Sequence, residues 1–284
     1  MFKNKHSIIA FLLFICTSIL FSFSAVSADN NFRLRAHQNN NDINTLSDVE
    51  AEVKFGKTIS ARILGQFKEY ENTELKRYVS LVGKSLAMNS SRDEISFHFS
   101  VLDADFINAY SAPGGYIFIT KAAIKAMKDE SELAAVLAHE IAHITEKHIV
   151  NEFKIKGVDD SATAGLSNIL GSSSSSAKVA FTQSVENAVN KLINKGFKKE
   201  EELDADKVAL LLLAATGYDT SSMHRYLKRV KRINKKNKSR DTQKPTHPPT
   251  SQRLKSLKKI SKEEGLDKLN LPKAKSRFNK YVKL

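Results

Sequence analysis

Two histidines four residues apart, with a glutamate between them, sit inside an apolar run and narrow what this chain can become. The residues are His139-Glu140-Ile141-Ala142-His143, within Ser131 to Val150. Leu133, Val136, Leu137, Ile141 and Ile144 recur at helical spacing and predict a helix with a buried side, opened by Asp129 or Ser131. Side chains four apart on a helix lie nearly one above the other. His139 and His143 can then offer their imidazoles to one metal ion. Glu140 leans toward the same side, where it can take a proton from a water held there. The plain alternative is an ordinary helix whose histidines and glutamate meet solvent.

A catalytic zinc site usually has three protein ligands and one open position. One route to the third needs glycine at position 146 and histidine at 149. The chain has Glu146 and Ile149, and His148 is out of register by one. The other route needs a glutamate on a separate, later helix. Glu202 fits, because it opens the apolar stretch running through Val208 to Ala215. Asp206 lies four residues on, above the same face. There it can accept the second N–H of a ligand histidine and fix its tautomer. Glu200 to Asp206 also reads as a plain acidic helix start, which the helix dipole favours.

The surrounding pattern predicts an α+β fold, mostly helical, with a small β-sheet beside the metal helix. Helices are expected over 47–67 and 72–88, as cover for a core. Ser96 to Leu102 alternates as a half-buried strand and leaves His98 on its polar side. Pro113-Gly114-Gly115 forms a turn ahead of a strand at Tyr116 to Ile119. That strand borders the expected metal cleft, and an open edge there would pair with an extended peptide. Asn108, Ala109, Gly114 and Gly115 are therefore candidate substrate-binding residues, although a purely structural hairpin has the same composition. Gly157 to Ala177, with serines at 172 to 176, reads as a mobile loop or a frayed helix pair over the cleft, or equally as a plain surface loop. A cover helix through Phe181 and Ile193 is expected to stop at Gly196.

The ends of the chain carry different signals. Lys3 and Lys5 precede an apolar stretch from Ser7 to Phe23, and small residues follow at Ala25 to Ala28. This predicts an export signal, residues 1–28, cleaved after Ala28 and leading to the periplasm. An uncleaved inner-membrane anchor is the alternative. Cys16 is the only cysteine and falls within that segment, so the mature chain needs no disulfide chemistry. Residues 29–46 are a polar lead-in. The overall charge of +14 is concentrated late: from Arg225 onward 21 Lys and Arg face four Asp and Glu. Few aromatics interleave with those lysines, which argues against a nucleic-acid partner and for an anionic membrane surface or an acidic protein. The last dozen residues read as frayed.

At this point the sequence resembles the M48 family of zinc metallopeptidases. Four pieces carry the likeness: Asn108-Ala109 with Pro113-Gly114-Gly115, His139 to His143, Glu202-Leu203-Asp204-Ala205-Asp206, and Thr246-His247-Pro248 with Arg253. The resemblance implies a zincin-like peptidase domain over 47–257, followed by a basic tail at 258–284. It implies one zinc ion per chain held by His139, His143 and Glu202, with Glu140 as base and Asp206 behind the ligands. His247 and Arg253 would stand near the oxyanion, or His247 would close onto the open metal position. Unfolded or misfolded envelope proteins would be the substrates. A zinc-bound holdase or adaptor that grips such chains without cutting them is the rival reading.

Overall fold

The computed structural model describes residues 32–36, 45–157, 175–236 and 250–284. Residues 32–36, expected as part of a loose lead-in, form a short helical stretch with Ala36 buried in the core; α1 (Leu46–Gln66) and α2 (Thr73–Ala87) follow, within a residue of the expected spans. Thr45 opens α1 through a reciprocal cap with Asp48, and the Asn72 side chain opens α2 by accepting the Leu75 N–H at 2.9 Å. On α2, Leu75, Tyr78, Val79, Val82 and Leu86 form the buried stripe that the spacing predicts.

Three strands follow: β1 (His98–Leu102), β2 (Ala109–Ala112) and β3 (Tyr116–Thr120). Their order is β1-β3-β2, with β1 parallel and β2 antiparallel to β3. This corrects one expectation. Tyr116–Thr120 has no open edge, because it is the central strand; the edge strands are β1, bridged on its outer side by Glu69, and β2. The sheet is also more buried than half. Phe99, Val101, Ile117 and Ile119 join the core under α2, while Leu102, Tyr110 and Phe118 join a second core under α1. Residues of a strand alternate between faces, so a sheet covered on both sides buries both sets. His98 stays exposed, as expected, and stacks on Tyr116.

The hairpin turn between β2 and β3 is pinned beneath α1. Gly114 and Gly115 have positive φ, 72° and 93°. A Cβ on Gly114 would come within 2.6 Å of the Val53 backbone. The Gly114 N–H donates to Glu52 Oε1 at 2.9 Å. Glu52 in turn takes Arg92 Nη2 at 2.7 Å, and Arg92 Nη1 donates to the Ile144 carbonyl at 3.2 Å. One buried ion pair thus ties α1, the turn and the end of the next long helix together.

Short helix α3 (Lys121–Lys125) leads to α4 (Glu130–Thr145), opened by Asp129. Every residue of α4 is buried, not one side only. A helix buried all round must satisfy each polar group it carries. Glu130 takes hydrogen bonds from Tyr78, Tyr218 and Arg277; Glu132 takes Arg229, with Nη2 donating to Oε1 at 2.9 Å. After α5 (His148–Phe153) come α6 (Ser175–Asn190), ending in a π turn (Lys191–Lys195) before Gly196, and α7 (Lys199–Thr216). Helix α7 lies along α4. Helices α8 (Ser222–Lys236) and α9 (Thr250–Glu263) pack on each other, α8 against α4 and α9 against α7, and α10 (Lys275–Tyr281) closes the chain.

The basic C-terminal segment does not fray. Leu266 and Phe278 are buried in the main core, and the Pro272 carbonyl accepts from Ser131 Oγ at 2.8 Å. No helix among the described residues is long and apolar enough to cross a membrane. The expected export segment, most of the lead-in, the serine run as far as residue 174, and His247 lie outside the described residues.

Candidate metal centre

Helices α4 and α7 bring three side chains to one point. His139 Nε2 and His143 Nε2 are 3.2 Å apart. Glu202 Oε2 lies 3.4 Å from His139 Nε2, and Oε1 lies 3.7 Å from His143 Nε2. Ligand atoms bound at about 2.0–2.2 Å around a tetrahedral ion lie about 3.3–3.6 Å from one another. The three edges, 3.2, 3.4 and 3.7 Å, fall in or within 0.1 Å of that range. All three residues are buried, at 3%, 3% and 0% exposure. Three such groups in a dry cluster fit a divalent cation of the zinc type, with a neutral-nitrogen and carboxylate donor set.

Behind the ligands stands a second set of groups. Asp206, one turn after Glu202, is fully buried and lies 3.1 Å from His139 Nδ1, which leaves Nε2 for the cluster. Arg253 on α9 grips the same carboxylate with two prongs, Nε to Oδ2 at 2.9 Å and Nη2 to Oδ1 at 2.6 Å. Its Nη2 also lies 3.3 and 3.4 Å from the two ring nitrogens of His139, and its Nη1 lies 3.6 Å from Glu202. Burial pushes the Asp206 carboxyl up, but Arg253 and His139 outweigh it and hold it below the usual carboxylate range. Burial and Arg253 both oppose a charged His139, yet Asp206 and Glu202 prevail and raise it to about 9 in the metal-free cluster. The same carboxylates raise Arg253 against its burial. Arg253, the residue that the family resemblance sets near the oxyanion, packs at 4% exposure onto Asp206.

Glu140 sits beside the cluster and faces the edge strand. Its Oε2 accepts from Ser111 Oγ at 2.8 Å, and both residues are 2% exposed. The Thr120 N–H donates to the Asn108 carbonyl, so hydrogen-bonded pairs alternate along β2 from that point. Ala109 and Ser111 therefore turn their amide groups away from β3. The Ala109 N–H is taken by Asn108 Oδ1 at 3.0 Å. Ala109 thus opens edge strand β2 and Asn108 immediately precedes it, whereas Gly114 and Gly115 serve the turn beneath α1.

Sequence reasoning missed Ser111 and His148. Ser111 follows Ala109 at the period-2 spacing of one strand face, a signal that was available. His148 stands one residue out of register with the third-ligand pattern weighed from the sequence, and nothing else in the sequence marks it. In the structure, His148 Nδ1 lies 2.8 Å from His143 Nδ1, and Phe197 stacks on the His143 ring. Burial lowers the His148 pKa from its ordinary value.

With that geometry in place, the model of peptidase family M48 matches residues 70–261. This chain belongs to peptidase family M48. The match takes in α4, α7 and the whole sheet. The β-barrel assembly-enhancing protease of Yersinia pestis is 28% identical over 193 residues, covering 63% of this chain and 37% of that protein. The mitochondrial metalloendopeptidase OMA1 of Schizosaccharomyces pombe is 28% identical over 149 residues, 51% of this chain and 41% of that protein. Metalloprotease YcaL of Escherichia coli is 22% identical over 195 residues, 69% of this chain and 74% of that protein. The chain spans less than two fifths of the length of the assembly-enhancing proteases it matches.

Proposed function

We propose that this M48 member is a zinc-dependent endopeptidase of the cell envelope that cuts extended or misfolded proteins. The single observation that carries the reading is the convergence of His139, His143 and Glu202, with Glu140 beside them on the edge-strand side. One zinc ion per chain would polarise the scissile carbonyl and acidify the attacking water.

The chain's own residues do the rest. An extended peptide pairs with the outward amide groups of β2, which reads backbone more than side chain. Glu140 takes the proton of the attacking water and returns it to the leaving amine. Ser111 holds the Glu140 carboxylate in place, and Asp206 with Arg253 holds His139. His247 near the oxyanion, or closed onto the open position, remains part of the proposal, as does a peptidase domain over 47–257 preceded by a cleaved export signal. Exposed Lys228, Lys231, Arg232 and Lys235 on α8 and Lys255, Lys258, Lys259 and Lys262 on α9 form a basic surface suited to anionic lipid head groups.

The test is hydrolysis of casein by the mature chain. Activity should vanish with a chelator and return with zinc, and Glu140→Gln should keep one zinc per chain while losing cleavage. A Glu140→Gln protein with wild-type turnover refutes the base. A wild-type protein that binds zinc and grips casein without cutting it establishes the holdase instead. Binding to anionic vesicles that falls with salt would support the membrane surface; equal binding to neutral vesicles would remove it.

A further inference from the structure

We propose that His148 is a positioning residue for the metal site, holding the His143 imidazole in the tautomer and orientation that offers Nε2 to the ion. The inference rests on the metal reading above and adds a residue outside the ligand set. Two ring nitrogens 2.8 Å apart have room for one hydrogen between them. An ion on His143 Nε2 requires that hydrogen to sit on His143 Nδ1. His143 then donates and His148 Nδ1 accepts, so His148 carries its own hydrogen on Nε2. A ligand histidine almost always donates its second N–H to a fixed acceptor. For His139 the acceptor is the Asp206 carboxylate; for His143 it is a neutral imidazole.

The backbone is shaped to make this contact. On a continuing α-helix, the residue five after His143 would point about 140° away from it. Helix α4 stops at Thr145, and Lys147 then takes a left-handed conformation, φ 54° and ψ 33°. That is an uncommon backbone for a lysine, and it turns the chain so that α5 begins at His148 with its ring against His143. Lys147 itself is buried, at 6% exposure. On the ring face, Phe197 stacks on His143 with centroids 3.9 Å apart and planes 15° from parallel. His143 is thus fixed edge-on by His148 and face-on by Phe197, leaving Nε2 aimed at Glu202 and His139.

The test compares zinc affinity of the full mature chain with His148→Gln, which keeps an acceptor, and His148→Leu, which does not, by competition with a chelating dye. His148→Leu should weaken zinc binding by about 10- to 100-fold, and His148→Gln should restore most of it. Equal affinity in all three proteins overturns the proposal, as does a Gln variant as weak as the Leu variant. If His148→Leu fails to fold, nitrogen NMR of the zinc-loaded wild type decides. Coupling between the two Nδ1 atoms across the hydrogen bond supports the proposal, and its absence overturns it. A wild-type chain that binds no zinc sinks the metal reading; one that binds zinc regardless of residue 148 sinks only the role of His148.

Discussion

Replacing Arg253 by Ala separates two jobs for that residue. If the guanidinium only meets the transition state, its loss should lower turnover and leave the fold alone. The structure instead buries it against Asp206 through two prongs, over the His139 ring and 3.6 Å from Glu202. Removing one member of a buried pair costs about 3–5 kcal/mol when nothing else offsets the remaining charge, and His139 beside Asp206 makes that an upper figure here. At about 2–4 °C per kcal/mol for a large domain, the melting temperature of the metal-free protein should fall by up to about 6–20 °C. Arg253→Lys reaches one carboxylate oxygen but not both, so its loss should be smaller than that of Ala. The assay is urea denaturation of the metal-free chain, read by circular dichroism, alongside casein turnover of the zinc-loaded chain. A stability within about 1 kcal/mol of wild type, with turnover lost, would refute the tie as a source of stability and support the oxyanion role.

Three other outcomes follow from the same geometry. Glu202→Gln should reduce bound zinc from one per chain to near none after dialysis, measured by atomic emission; retained zinc would mean that Glu202 is not a ligand. Ser111→Ala should keep fold and zinc yet lower kcat by about tenfold, since it frees the carboxylate of Glu140; unchanged kcat would show that the contact is incidental. Glu130 lies below the usual carboxylate range because Arg277 and the hydroxyls of Tyr78 and Tyr218 outweigh its burial. A depressed folded pKa gives stability that is present above the unfolded value, about 4.3, and lost as pH falls through the folded one. The stability gap between wild type and Glu130→Gln should therefore be wide at pH 7 and shrink at lower pH. An equal gap at both ends would remove the linkage.

The local elements and the metal ligands were legible in the chain because each rests on periodicity or on a spacing of four. His139 with His143, and Glu202 with Asp206, needed only helical geometry plus one packing event between α4 and α7. What stayed hidden depends on pairing between distant segments. The β-branched and aromatic residues of Tyr116 to Ile119 mark a strand but do not say which neighbours it takes, so its place at the centre of the sheet is not visible in the sequence. Apolar spacing on α4 showed one buried side. Its full burial follows from partners such as Arg229 and Arg277, far along the chain. His148 was hidden for a local reason, since nothing in the residue pattern announces a left-handed lysine. Arg253 was found by likeness to a motif, and its true contact is with the residue one turn beyond a ligand.

That contact also has a consequence in time. His139, His143, Glu202 and Asp206 all precede Arg253 in the chain. A polypeptide still being synthesised would hold its carboxylates together before their counter-charge has emerged. Both ties to the metal helix, Arg253 behind the ligand set and Arg277 on the first turn of α4, come from the last helices, so a chain lacking them leaves the buried carboxylates of Asp206 and Glu130 without these partners.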